Sequence, residues 1–334
     1  MTQPRVSSAL TDLSIPDLSI VVVSYNTADM TIAALQSVFD TGAGVNFELL
    51  VCDNESPDGS ADKIEATFAP ELGVRLKLVR SGGNLGFGRA NNLMAQQAQG
   101  RQILLLNPDT IVLPGALQNL LAFAARTPAA RIWGGCTYDG ERRLDPSSIW
   151  ARMSVWTVFC YAFGLQKIFP NSALFNSEAY GGFDRRSERE VDIITGCYLL
   201  IDADLWRALD GFDARFFMYA EEADLCLRAR ALGAQPRFTP TSEIVHFGGA
   251  SEQVYSGKIV KLFAGKMTLA AKHWGPWQLQ LAKGCMMIAV WLRATMLPPL
   301  GWLTGRARWK KAGAEWRVVW RHRHDWINGY PELF

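Results

Sequence analysis

The chain has no pair of cysteines at C-x-x-C spacing. Its six cysteines, at 52, 136, 160, 197, 226 and 285, are scattered and mostly sit in apolar runs, where a thiol behaves as a small hydrophobe. Neither a thiolate zinc site nor a disulfide framework is expected, and the compartment reads as reducing. The G-x-x-x-x-G-K-[ST] pattern is missing, which excludes a P-loop NTPase, and so is G-x-G-x-x-G, which argues against ordinary dehydrogenase chemistry. No apolar segment precedes Ile20, so no secretory signal is expected, and residues 1–18 read as a loose tail. Internal repeats and low-complexity tracts are lacking too. Acidic residues are scarce near one end: between positions 305 and 324 seven Lys or Arg (306, 308, 310, 311, 317, 321, 323) face only Glu315. On a chain of net charge +2, that imbalance points to an anionic surface, either membrane or nucleic acid.

What is present is globular. At 334 residues, 49% hydrophobic and 20% charged, with mean hydropathy +0.02, the chain can form one large α/β domain with an extension. Residues 19–24 (SIVVVS) are an apolar, β-branched strand pattern, followed by a helical stretch over 29–39. Residues 47–52 form a second strand, ending at Asp53-Asn54, and Asp58-Gly59-Ser60 opens another helix. Residues 74–79 alternate apolar and basic, as a half-exposed strand does. A helix is expected over 86–97 and a strand over 103–106. Pro114 stands at the start of a helix running to about residue 126. Strand–helix alternation of this kind implies a mainly parallel, doubly wound sheet with helices on both faces.

Residues 149–170 are aromatic-rich and loosely amphipathic, 194–201 return to strand character, 219–232 form an acidic helix, and 244–247 a short strand. From 256 onward the pattern is helical and rich in Trp, Leu and Met. Residues 284–303 have about the ~20-residue length of a membrane span. Arg293 in mid-segment, worth at least ~2.5–3.5 kcal/mol against insertion, and the expected break at Pro298-Pro299 favour helices lying on a membrane. Burial as ordinary core is the competing reading.

Four clusters could carry chemistry. Leu104-Leu105-Leu106-Asn107-Pro108-Asp109 ends an apolar strand in a carboxylate, at the sheet edge where α/β folds bind ligands. Asp53-Asn54 follows the second strand, where an acid commonly meets a base or ribose; plain turn chemistry is the alternative. In Gly82-Gly83-Asn84-Leu85-Gly86-Phe87-Gly88-Arg89 the glycines and the helix N-terminus suit an anion, with Arg89 as a charged contact; a simple glycine-rich connection is the alternative. In the acidic helix Glu221 and Asp224 share a face and Arg228 can pair with Asp224. Either the helix is a salt-bridged surface or one glutamate faces a cleft as general base; the apolar Phe216-Phe217-Met218 before it supports the second reading. His246 is either a hydrogen-bonded core residue or, if the fold brings it beside Asp109, a metal ligand.

In this order and spacing the pieces resemble family 2 glycosyltransferases of the GT-A fold, nearest to bacterial rhamnosyltransferase-type members that build cell-surface polysaccharide. The matching segments are 19–26 (SIVVVSYN), 51–60 (VCDNESPDGS), 82–92 (GGNLGFGRANN), 104–110 (LLLNPDT), 195–201 (TGCYLLI), 211–230 (GFDARFFMYAEEADLCLRAR) and 246–251 (HFGGAS). The resemblance implies inverting transfer from a nucleotide-diphosphate sugar to a glycan or lipid-linked acceptor. Tyr25, Asn26, Asp53, Asn54, Asn84, Gly86, Arg89 and Asn107 would then meet the donor. Asp109 and His246 would hold a divalent metal, Mg²⁺ or Mn²⁺. Glu222 would be the base, with Asp224 and Glu221 as rivals, and Gly196 and Cys197 would face the acceptor.

Two positions depart from the family pattern: Asn107 stands where the first acid of D-x-D is usual, and Glu222 where aspartate is usual. The Q-x-x-R-W signature of processive members is lacking, so one sugar per encounter is expected. The implied organisation is a tail over 1–18, a transferase domain over 19–255 and a membrane-associated helical region over 256–334. The expected location is cytoplasmic, at the inner face of the cell membrane, with no nucleic-acid partner. Two competing readings are a nucleotidyltransferase on a related sheet, for which no triphosphate-activating signature is found, and a degenerate sugar-nucleotide-binding module, which Asn107 and Glu222 keep open.

Overall fold

The computed structural model describes residues 15–248 and 255–331. Most of the expected tail, residues 1–14, and Gly249-Ala250-Ser251 of the last motif lie outside the described residues. The first half alternates as the sequence pattern predicts: β1 (Leu18–Ser24), α1 (Ala28–Thr41), β2 (Phe47–Asp53), α2 (Ser60–Thr67), β3 (Leu76–Arg80), α3 (Phe87–Ala95) and β4 (Gln102–Leu106). Leu18 already belongs to β1, so the expected tail is one residue too long. β1 pairs in parallel with β2 on one side and β4 on the other, and β3 adds in parallel outside β2. The strand order therefore reverses at β1, and the loops leaving β1 and β4 diverge to leave a crevice at their carboxyl ends.

Period-two alternation divides the core between the two faces of the sheet. Val21, Val23, Ile103 and Leu105 point to one side, and Ile20, Val22, Leu104 and Leu106 to the other. β3 lies at the sheet edge, which explains its half-exposed alternation.

The second half supplies β5 (Thr110–Val112), α4 (Ala116–Arg126), β6 (Ile132–Tyr138), β7 (Leu144–Asp145), β8 (Ile149–Trp150), α5 (Val155–Ala162), α6 (Leu165–Ile168), β9 (Arg189–Glu190), β10 (Ile193–Ile194), β11 (Tyr198–Asp202), α7 (Ala203–Ala208), α8 (Glu221–Ala231) and β12 (Arg237–His246). The main sheet has the order β3-β2-β1-β4-β11-β6-β12-β5, with β7 beside β6 and β9 beside β12, while β8 and β10 form a separate ribbon. β11 runs antiparallel between β4 and β6, so the sheet is mixed.

Several boundaries differ from the sequence reading. The strand expected over 194–201 is split at Thr195-Gly196-Cys197, because β10 and β11 belong to different sheets. The acidic helix begins at Glu221, not 219, since Tyr219 and Ala220 have left-handed backbones at φ 71° and 70°. The strand carrying His246 starts far earlier, at Arg237, and stops at His246. Pro114 lies outside α4, whose N-cap is the left-handed Gly115.

The C-terminal helices are α9 (Tyr255–His273), α10 (Pro276–Leu303), α11 (Ala307–Arg321) and α12 (Arg323–Trp326). Phe263 and Met267 of α9, Trp316 and Val319 of α11, and Trp326 are buried in the same core as Leu225 and Cys226 of α8. The core thus continues past residue 255. Pro298-Pro299 does not break α10, which runs through both. A Cβ on Gly313 of α11 would collide with the Pro298 ring, so the close packing of α11 covers this stretch. The Arg293 guanidinium donates to the carbonyls of Tyr161, Ala162 and Ala289 and stacks on Tyr161 and Trp316.

Candidate active site

The crevice between the ends of β1 and β4 opens into a cleft of about 530 Å³. Tyr25 and Thr27 enter it from the end of β1, Asn54 from β2, and Asn107, Pro108 and Asp109 from β4. Gly196 and Cys197 come from the β10–β11 turn, Glu221 and Glu222 from the start of α8, and His246 from the end of β12. Residues scattered along the sequence are gathered because every one of them sits at a strand end or a helix start.

At the β2 end of the site the turns are locked by side chains. Asp53 accepts from the Ser56 amide at 3.1 Å through Oδ2, while its buried Oδ1 has no partner. Asn54 accepts from the Leu85 amide at 2.9 Å and donates to Asn84 Oδ1 at 3.1 Å, and Asn84 Oδ1 also accepts from the Gly86 amide at 3.0 Å. The asparagines thereby stitch the β2 tip to the glycine-rich segment. Gly86 has φ 77° and packs against the Phe217 carbonyl so closely that a Cβ would collide with it; only glycine fits there. Asn26 adopts φ 55° and donates its amide to Ser56 at 3.0 Å.

Arg89 does not fulfil the expectation placed on it. Its guanidinium donates to the Ala214 carbonyl at 3.1 and 3.2 Å and does not line the cleft. The reason is local: α3 is pinned to the 211–219 loop, where Asn92 also exchanges hydrogen bonds with the Phe212 backbone.

His246 and Asp109 are brought together. β12 and β5 pair antiparallel with His246 opposite Thr110, which puts His246 Nε2 3.2 Å from Asp109 Oδ1 and 3.3 Å from Asn107 Nδ2. Asp109 is buried, and Asn107 Oδ1 is buried without a partner. Burial works against charge on the His246 imidazole, but the sulfur of Cys197 and the carboxylate of Asp109 outweigh it and push its pKa up to about 11. A divalent cation taking the place of the His246 proton would find the Asp109 carboxylate and the imidazole together at a strand tip, oxygen and nitrogen ligands of the kind such ions accept.

At the start of α8 the two glutamates diverge. Glu221 is buried, with Oε2 unpartnered; burial and the neighbouring Glu222 charge hold its pKa well above the usual glutamate value. Glu222 is half-buried and its pKa is raised by desolvation. A Cβ placed on Gly196 would lie 3.6 Å from the Glu222 Cβ and 3.4 Å from the Phe87 ring, so this glycine sits against the first turn of α8.

Asp224, the rival for the base role, faces away. It is wholly buried and ion-paired with Arg228, Lys272 and His273 at 2.7–2.8 Å. Burial opposes its charge, and the His273, Lys272 and Arg228 contacts outweigh it to lower its pKa. A carboxylate saturated by a guanidinium, an ammonium and an imidazole is a poor proton acceptor. The expected Asp224–Arg228 pair is present, and of the face shared with Glu221 only the Glu221 end reaches the cleft.

Sequence reasoning missed Asp145, Thr195, Tyr219, Lys258 and Lys261, all of which line the cleft. Asp145 caps its own turn by accepting from the Ser147 amide and hydroxyl, a signal indistinguishable from ordinary turn chemistry.

Residues 19–192 match the family model "Glycosyl transferase family 2". The N-acetylglucosaminyl-diphospho-decaprenol L-rhamnosyltransferase of Mycobacterium tuberculosis is 26% identical over 268 residues, covering 70% of this chain and 78% of its own. The rhamnosyltransferase WbbL of Escherichia coli is 26% identical over 188 residues, covering 53% of this chain and 67% of its own. Among solved structures, the mannosyltransferase PcManGT of Pyrobaculum calidifontis, in complex with GDP-Man and Mn²⁺, superposes with a TM-score of 0.57 at 15% identity, covering 92% of this chain and 87% of that one. The match takes in more than half of the chain, and the GT-A architecture agrees with it throughout: the chain belongs to glycosyl transferase family 2.

Proposed function

We propose that the protein is an inverting, non-processive, metal-dependent transferase. It would move a sugar, with rhamnose the first candidate, from a nucleotide-diphosphate donor to a glycan or lipid-linked acceptor in cell-surface polysaccharide synthesis. The observation that carries this reading is the convergence of Asp109, His246 and Asn107 at one end of the cleft with the half-buried Glu222 at the other. The names of the two rhamnosyltransferase relatives support the sugar, and that of the Mycobacterium tuberculosis protein supports a lipid-linked acceptor.

The roles follow from the chemistry of each group. Asp53, with one oxygen committed to the turn and one free, would accept from a nucleotide base. Tyr25, Asn26, Asn54, Asn84 and Gly86 shape the donor's bed. Asp109, His246 and the Asn107 oxygen would hold Mg²⁺ or Mn²⁺, whose positive charge offsets that of the departing diphosphate. Glu222 would take the acceptor hydroxyl proton; its raised pKa makes it a stronger base than an ordinary glutamate. Gly196 and Cys197 would leave room for the acceptor on that side.

The acceptor's lipid places the enzyme at the cytoplasmic membrane surface in this reading. α10 is long and apolar enough to cross a membrane. It exposes Trp277, Leu281, Ile288 and Trp291 on one face, and α5, which packs on it, exposes Trp156 and Phe159, with Phe163 exposed just beyond its end. The engagement of Arg293 with protein carbonyls and the basic α11 favour lying on the bilayer over spanning it.

The test is a donor screen with Mn²⁺ against EDTA, using wild type, Asp109→Ala and Glu222→Gln. Turnover of a nucleotide sugar that both substitutions abolish supports the reading. A protein that binds donors and transfers none is instead the sugar-nucleotide-binding module, the reading that Asn107 leaves open.

A further inference from the structure

The cleft is acidic, with Asp109, Asp145, Glu221 and Glu222 all lining it. A ligand diphosphate entering it adds negative charge to a site already rich in carboxylate, and Asn107 gives the metal end one anionic ligand fewer than two acids would. Arg89, the cation expected to answer this charge, is occupied by Ala214. Among the described residues lining the cleft, the only Lys or Arg side chains are Lys258 and Lys261.

Both belong to α9, beyond the span that matches the family model. They are three residues apart and share a helix face, and Gly265 and Lys272 continue that face at the following turns. Two contacts fix the face in place. A Cβ on Gly265 would collide with the Tyr219 carbonyl, so α9 lies directly on the backbone that precedes Glu221. One turn pair further on, Lys272 bonds Asp213 at 2.6 Å and Asp224 at 2.7 Å. With its register set by Gly265 and Lys272, the helix delivers Lys258 and Lys261 to the cleft as a consequence of geometry. Lys258 has no ion-pair partner among the described residues, and it stands near the N-terminal end of α9, where the helix dipole disfavours a cation. Helix stability does not account for it.

We propose that Lys258 and Lys261 form a diphosphate-binding pair at the cleft, supplied by the C-terminal helices to a site otherwise built from the sheet. The inference rests on the transferase reading for the identity of the ligand. A diphosphate can come from either substrate, the nucleotide sugar or a polyprenyl-diphosphate-linked acceptor, and ammonium groups recognise both by the same charge-assisted hydrogen bonds.

The experiment titrates wild type, Lys258→Gln/Lys261→Gln and Lys258→Arg/Lys261→Arg by calorimetry in Mn²⁺ buffer. The probes are inorganic diphosphate, UDP, GDP, dTDP, the corresponding nucleosides, and a short-chain polyprenyl diphosphate in detergent. The glutamine pair is expected to lose at least about tenfold in affinity for a diphosphate probe, with nucleosides unchanged and the arginine pair recovering most of the loss. Weakening of the nucleotide probes assigns the lysines to the donor; weakening of the polyprenyl probe alone assigns them to the acceptor. The proposal is overturned if every diphosphate probe stays within twofold of wild type, or if wild type binds none of them. Loss of diphosphate binding without sugar transfer by wild type would leave the lysine pair standing and remove the transferase reading instead. Circular dichroism melts on the arginine pair separate a folding defect from a binding defect.

Discussion

His246 Nε2 stands 3.2 Å from Asp109 Oδ1 because β12 and β5 pair antiparallel with His246 opposite Thr110. Replacing either partner with alanine is expected to weaken Mn²⁺ binding at least about tenfold and to reduce transfer in parallel. Asn107→Asp adds a negative oxygen ligand and is expected to tighten Mn²⁺. Calorimetry of Mn²⁺ binding checks both, and an unchanged affinity in Asp109→Ala would remove the metal assignment.

Glu222 and Asp224 point in different directions, Glu222 into the cleft and Asp224 into a cluster of basic side chains, and different roles are expected of them. Glu222→Gln is expected to lower kcat by about 10²–10⁴-fold without destabilising the fold, the range typical of a removed general base. Asp224→Asn leaves Arg228, Lys272 and His273 around a neutral group, and is expected to destabilise the fold by about 3–5 kcal/mol while the remaining folded enzyme keeps its pH profile. Urea unfolding alongside pH–rate profiles distinguishes the two. If the asparagine variant instead lost turnover at full stability, the base would be Asp224.

Glu221 gives a pH prediction with a defined sign. Its native pKa lies well above the ordinary glutamate value through burial and the Glu222 charge, so the native state holds its proton more tightly than the unfolded chain. Its contribution is favourable at low pH and is lost as pH rises above the unfolded value. Glu221→Gln should therefore raise the melting temperature at neutral pH and leave it nearly unchanged at about pH 4. A gain that is larger in acid would reverse the assignment.

Membrane binding should follow the exposed face of α10. Ile288→Glu with Trp291→Glu is expected to release the protein from vesicles containing anionic lipid, while turnover of a soluble donor is kept. Retention of vesicle binding in flotation assays would point to another surface.

Gly265→Ala tests the fit of α9 against the Tyr219 carbonyl. A methyl group there has no space, and overpacking of this kind costs about 1–3 kcal/mol. Thermal melts report the loss, and an unaltered melting temperature would show that α9 can shift.

The strand tips are legible in the chain because each is an apolar run stopped by Asp, Asn or Pro, and the parallel alternation follows from the same runs. Asp109 and Asn54 are findable for that reason, whereas Glu222, at a helix start, stands out only as one member of an acidic cluster. The orientation of Arg89 is not, because the Ala214 carbonyl that claims it is distant in sequence. Lys258 and Lys261 are likewise silent: two lysines on a long helix look like any solvated face until Gly265 shows which side is pressed inward. The start of α8 escapes pattern reading because Tyr219 and Ala220 adopt left-handed backbones, at a cost of roughly 1–2 kcal/mol each for residues with a side chain. The close packing of α9 on them at Gly265 holds that geometry in place.

Only Trp274 and Gly275 separate the end of α9 from the start of α10. One helix grips the carboxylate-bearing turn and the next carries the exposed tryptophans, so the joint between them works as a fixed standoff. The height of Glu222 above whatever surface α10 rests on is then set by the protein's own skeleton. Acceptors would be sorted by how far their reactive hydroxyl projects from that surface, a selection by reach that needs no contact with the sugar itself.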